Sequence, residues 1–270
     1  MKAFWQLFAV AQTEFRFGLR RGWPVVGTAA IGLVVGAGTL YLTFMNAEDM
    51  PRAYAAKAGA GALAMVWPAF QWLALGVLPI VCAPAIPSDR QYGVDELLHS
   101  TPLTGGIYLA GKVAGVIATV LLTGAVVLML HLGLHWALIG PFDPGLYFEL
   151  TLLNGLPLLL WASAMGVLAA SSLRTRRTAI FIGILVGILS PYPWALAFRP
   201  PSDLRSFQGT ASMLSRQPIS DFVFQRYGLL PSWVSPVTGQ QVFGIFFVAL
   251  LTLVIVAAVA RLRLLRQDNF

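Results

Sequence analysis

Side chains able to do acid–base or ionic chemistry are few in this chain, and five of them fall in one stretch. Residues 87–112 hold Asp89, Arg90, Asp95, Glu96 and Lys112 between two long apolar runs. Charge gathered in this way has two physical readings. It is an ordinary solvated turn, or it is a docking surface that offers carboxylates and a basic group to a polar groove. The spacing predicts a short helix here: Asp95 and Glu96 suit the positive N-terminal end of a helix dipole. Leu97 and Leu98 then give it an apolar patch, and Thr101-Pro102 stops it.

Other reactive residue types are spread more thinly. His131 and His135 stand four apart, on one face of a helix, and could supply two ligands of a metal, with Asp143 or Glu149 as a third. Their place beside Trp136, where a span meets the membrane boundary, accounts for the same rings by packing alone. Gly106 to Lys112 matches the GxxxxGK pattern of a phosphate loop, but Val113 stands where a Ser or Thr must bind magnesium. The stretch also enters an apolar helix, so nucleotide binding by this chain is not expected. Cys82 is the single cysteine, which excludes an intrachain disulfide and a multi-cysteine metal site. No HExxH, GxSxG or intramembrane carboxylate pair is present, and no catalytic role is expected.

Elements that could position these residues follow from composition. Of 270 residues 57% are hydrophobic and 11% charged, with a mean hydropathy of +0.75. Soluble domains carry about 25% charged residues. Apolar runs near 24–45, 60–86, 106–138, 151–172, 178–198 and 239–260 have the length a bilayer core demands. An all-α integral membrane protein with six spans is the expected fold. Pro68, Pro79 and Pro84 predict that the second span is bent or partly unwound near its end. Gly32 and Gly36, and likewise Gly183 and Gly187, form small-xxx-small faces that suit close helix packing.

Residues 1–23 form a separate unit before the 24–270 transmembrane domain. Phe4, Leu7, Phe8, Ala11, Phe15 and Leu19 recur at helical spacing, with Glu14, Arg16, Arg20 and Arg21 beside them. This is an amphipathic helix that lies along the membrane surface or packs on the protein itself. With no cleavable signal evident, it is expected to precede an uncleaved start-transfer span. Basic residues set the orientation. Lys2, Arg16, Arg20, Arg21, Arg90, Lys112, Arg174, Arg176, Arg177, Arg261, Arg263 and Arg266 share one side if both termini are cytoplasmic. The short outer turns then keep Arg52 and Lys57. The net charge of +7 is therefore a topology signal, and no nucleic-acid partner is expected. The 199–236 connection would be extracytoplasmic and carry short helices at the outer face.

The pattern Asp89-Arg90-x-x-Gly93-x-Asp95-Glu96-Leu97-Leu98-x-Ser100-Thr101-Pro102-Leu103, followed by Gly111-Lys112 entering a span, resembles the segment after the second span of type-2 ABC transporter permeases. The layout is similar over essentially the whole chain: an N-terminal interfacial helix with Glu14 and Arg16, six spans, and a longer outer segment before the last. Asp89 stands where many members have Glu. The resemblance implies that 87–105 is a cytoplasmic coupling segment. Asp89, Arg90, Gly93, Asp95, Glu96, Leu97, Leu98, Thr101 and Pro102 would contact an ATPase subunit.

What the resemblance implies about activity is an ATP-driven exporter of the inner membrane. ATP and magnesium would bind the separate ATPase subunit, none in this chain, and a second permease subunit, identical or not, would complete it. The apolar spans suit a lipid-like, peptide or drug-like amphiphile better than an ion. A different class of function uses the same fold: a non-transporting membrane scaffold or assembly subunit, with the polar stretch as a static contact.

Overall fold

The computed structural model describes residues 2–47, 55–91, 93, 104–189, 218–229 and 238–267. Every regular element among them is a helix. In chain order these are α1 (Lys2–Arg21), α2 (Trp23–Ala47), α3 (Ala55–Cys82), α4 (Ala85–Gln91) and α5 (Gly105–Leu138). Then come α6 (Pro144–Leu150), a π-helical turn (Thr151–Gly155), α7 (Leu156–Ala170), α8 (Arg176–Leu189), α9 (Pro218–Arg226) and α10 (Gly239–Gln267).

Five stretches are long and apolar enough to cross a membrane: Trp23–Met45, Ala69–Gln91, Gly105–Leu138, Pro144–Ala170 and Gly239–Arg263. The chain is an all-helical, multi-pass membrane protein. Of the six expected spans, the one near 178–198 is the exception. Its described part, α8, has 14 residues, short of the roughly 20 a bilayer core requires, and 190–198 lie outside the described residues. The fourth span starts earlier than its sequence signal. Asp143 caps α6, its carboxylate oxygen accepting from the Gly145 and Leu146 amides at 2.9 and 3.2 Å, and Pro144 sits at the favoured first position. The helix therefore begins at the cap, and Glu149 lies inside it.

Proline positions do not act alike. Pro68 and Pro79 lie within a continuous α3, and the break falls at Ala83–Pro84, after which α4 starts. Close packing explains the tolerance at Pro79. A Cβ on Gly166 would come within 2.6 Å of the Pro79 carbonyl oxygen, and one on Gly183 within 2.9 Å. Backbone of α7 and α8 thus presses on α3 there, and Gly187 sits equally close to Gly76. Such contact holds a helix together where one ladder hydrogen bond is missing.

The core forms around α3, which packs against α2, α7 and α8. Leu75, Leu78, Val116, Val120, Leu158 and Trp161 fill the larger cluster. A second cluster, with Leu63, Trp67, Leu146, Leu150, Val223 and Phe224, seats α9 at the other end of the bundle. Outward faces are apolar as well. Leu33, Val34, Leu130, Phe243, Phe247 and Leu250 are all exposed, an arrangement hydrocarbon tolerates and water does not. Only 6% of the most apolar window of α10 is buried, so that helix chiefly meets its surroundings. A Trp161 indole hydrogen bond to the Ala249 carbonyl, 3.1 Å, ties it to α7.

Helix α1 divides its apolar residues between two faces. Val10, Ala11, Glu14 and Gly18 turn toward α5, while Phe4, Trp5 and Phe8 are 66%, 64% and 50% exposed. The single stripe read from the sequence thus splits. Small residues let the helix approach α5, and the aromatics stay outside, where they suit a membrane boundary. Gly22, with φ 74°, makes the bend into α2.

Candidate functional site

A close crossing of α1 and α5 positions the chemistry. A Cβ on Gly111 of α5 would lie 2.7 Å from Val10. One on Gly115 would lie 2.6 Å from both the Ala11 carbonyl oxygen and the Glu14 Cβ. Real Cβ contacts are not that short, so α1 and α5 touch in this way only because both positions are glycine. The spacing Gly111-x-x-x-Gly115 is a small-xxx-small face. It brings Glu14, otherwise a lone acid on an amphipathic helix, onto the side chain that follows Gly111.

That side chain is Lys112. Its ammonium group pairs with the carboxylates of both Glu14 and Asp89. Tyr108, one turn earlier on α5, donates its hydroxyl to Asp89 Oδ2 at 2.8 Å, and its ring lies 5.7 Å from the Lys112 nitrogen. Glu14, Asp89 and Lys112 are 3%, 3% and 4% exposed. Three charges taken out of water this completely hold only when each has partners. The cluster clasps α1, α4 and α5 into one unit. Arg90 extends it, donating to the Leu173 carbonyl at 3.0 Å just past the end of α7.

Asp89, expected at a partner-facing surface, is engaged within the chain itself. Its carboxylate is buried and held by Lys112 and Tyr108, because a cation beside it on α5 stabilises it where water cannot reach. Lys112 likewise lies inside a candidate span, so the spans are not free of charge. Its engagement with two carboxylates, within a helix, also leaves the GxxxxGK pattern no loop with which to cradle a phosphate. Gly93 takes φ 70° after α4, the left-handed conformation that favours glycine. Arg16 is exposed on α1. Asp95, Glu96, Leu97, Leu98, Thr101 and Pro102 lie outside the described residues.

At the opposite end, the histidines do not converge on a common point. His135 Nδ1 donates to the Gly140 carbonyl at 3.2 Å, and His131 Nε2 lies 3.4 Å from the Tyr147 hydroxyl. Their other ring nitrogens face different helices: His131 Nδ1 looks toward Gly36 on α2, His135 Nε2 toward Gly59 on α3. Asp143 is committed to capping α6, and Glu149 pairs with Arg226 at 3.2 Å. Among the described residues no group of three potential metal ligands occurs. Gly32 meets Val127 on α5, so the Gly32–Gly36 face lies against α5.

Sequence reasoning singled out Lys112 and Glu14 separately and missed their union, together with Tyr108. The available signal was the Gly111–Gly115 pair bracketing the lysine. Compared with known proteins, the chain matches no family model and no curated protein.

Proposed function

We propose that the chain is the membrane-spanning permease subunit of an ATP-driven exporter of amphiphilic, lipid-like, peptide or drug-like molecules. It sits in the inner membrane with both termini cytoplasmic and pairs with a second permease subunit. A separate ATPase subunit binds ATP and magnesium and docks on residues 87–105. The observation that carries this reading is the charge cluster at the base of that segment. Asp89 leads into it and Lys112 follows it; the two are paired, and Lys112 also pairs with Glu14. A push on the segment would therefore be passed to α1, α4 and α5 together, and through Arg90 to the end of α7. A solvated turn would need no such anchorage at both ends. Glu96, Leu97 and Leu98 supply the docking contact in this scheme.

The test is a detergent pull-down of the tagged chain with mass spectrometry and a vanadate-sensitive ATPase assay. Co-purification of a Walker-motif ATPase, lost in the Glu96→Arg, Leu97→Asp double variant, is the expected result. A stable complex that contains no ATPase would replace this reading with the membrane-scaffold one.

A further inference from the structure

Deep between α2, α3, α5 and the π-helical turn lies a chamber of about 360 Å³. Apolar side chains make most of its wall, among them Ile31, Val35, Leu63, Phe70, Leu128 and Leu159. No Asp, Glu, Lys or Arg is among the residues that line it. The space comes from the backbone. Gly36, Gly124 and Gly155 contribute no side chain to the wall. The turn Thr151–Gly155 winds wider than an α-helix directly before Pro157, whose ring cannot fit the normal ladder. π-turns of this kind recur at functional sites.

Two wall residues carry polar atoms with nothing to bond. Trp67 and His131 are 8% and 9% exposed, and Trp67 Nε1 and His131 Nδ1 have no hydrogen-bond partner. The Gly36 position shows where the second one points: a Cβ there would stand 3.2 Å from His131 Nδ1. Leaving buried donors and acceptors unmade is costly, and native interiors seldom do it without a reason.

We propose that this chamber binds one uncharged lipophilic molecule bearing a hydroxyl group, an alcohol or a phenol. The indole N–H can only donate, so it needs an acceptor, whereas an imidazole nitrogen pairs with either kind of group. A hydroxyl oxygen accepts and donates, and so fits either open position. The volume lies within the range of about 300–1,000 Å³ usual for small-molecule sites. Charged heads are excluded because no opposite charge lines the wall to pair with them. The exposed Ala125, with the partly exposed Gly32 and Leu121, lines one side, giving a ligand an approach from the surrounding hydrocarbon. Binding needs neither an ATPase nor a second subunit, so it stands or falls apart from the transport reading.

The experiment uses the full chain in nanodiscs with two photoreactive probes: a diazirine-bearing long-chain alcohol and the matched hydrocarbon without the hydroxyl. Mass spectrometry locates the labelled peptides. The alcohol is expected to label Leu63–Phe70 and Leu121–Leu128, and unlabelled alcohol to suppress that labelling. Trp67→Phe should weaken alcohol labelling about fivefold to tenfold, the worth of one buried hydrogen bond, and leave the hydrocarbon unchanged. Equal labelling by both probes, unaffected by Trp67→Phe, would show a space filled by acyl chains and overturn the proposal. Absence of label from the chamber, with the outer helix faces labelled, would mean that water or nothing fills it, with the same consequence. Should Trp67→Phe fail to fold by gel filtration, failure of the unlabelled alcohol to compete on the wild-type chain decides against the site.

Discussion

The two ends of this bundle treat buried polarity in opposite ways. Around Lys112 every charge has a partner: the ammonium meets Glu14 and Asp89, and Asp89 also takes the Tyr108 hydroxyl. Around His131 the polarity is neutral and unfinished, with Trp67 Nε1 and His131 Nδ1 unmatched. The first region is closed by helices drawn together at Gly111 and Gly115. The second encloses a chamber lined by Gly36, Gly124, Gly155 and the π turn. A satisfied charge network rigidifies and a partly satisfied neutral one leaves work for something else. The charged end thus behaves as a clasp and the histidine end as a container.

Lys112→Met breaks that comparison most severely. Two carboxylates would stay buried without their cation, and removing one partner of a buried pair costs about 3–5 kcal/mol. Thermal unfolding in nanodiscs should show it as a large fall in Tm. Replacing all three charges, Glu14→Leu and Asp89→Leu with Lys112→Met, should recover most of the loss. If the triple variant is as unstable as the single, the charges do more than satisfy one another.

Gly115→Leu comes next. The added side chain must push α1 from α5, and overpacking of this kind costs about 1–3 kcal/mol. Hydrogen exchange across Lys2–Arg21 should accelerate, while α7 keeps its protection. Unchanged exchange in α1 would deny that this crossing holds the clasp.

Trp67→Phe sharpens the comparison from the other side. It deletes a donor that has no partner, which by itself costs nothing. It also removes part of a ring packed in the second core cluster against Phe70, so a loss of about 1–2 kcal/mol is expected from packing alone. A loss clearly beyond that packing cost would mean that the indole N–H is already satisfied and the container is closed. Smallest is Arg226→Ala. Its pair with Glu149 is exposed on the arginine side, 57%, and such bridges contribute about 0–1 kcal/mol. Salt titration of the wild-type chain should show an equally slight effect.

Much of the helix layout was legible from residue order. Membrane-length apolar runs are local signals read over a few residues, whereas the Asp143 cap that starts α6 was not read and the fourth span was expected only from 151. The proline pattern was legible only in part: Pro68 and Pro79 look like breaks until the packing of Gly166 and Gly183 on α3 is known. The site was less legible still. Glu14, Asp89 and Lys112 lie in three separate segments, and nothing in their spacing says that they meet. For His131 and His135 the i,i+4 spacing correctly puts both rings on one helix face, yet it cannot tell that their free nitrogens look at different neighbours.

The sequence by itself determined the class of the molecule. Hydrocarbon-rich runs of this length have no stable place in water, and their backbone groups are satisfied only as helices. It also determined where charge could gather, because so little is available. Tertiary structure alone decided which of those charges are surface and which are mortar. Asp89 reads as a docking residue on a line and becomes a buried ion-pair partner in space, since burial and pairing depend on what a second helix brings alongside. Whether a buried polar atom is satisfied is a property of neighbours, and neighbours exist only after the chain has packed.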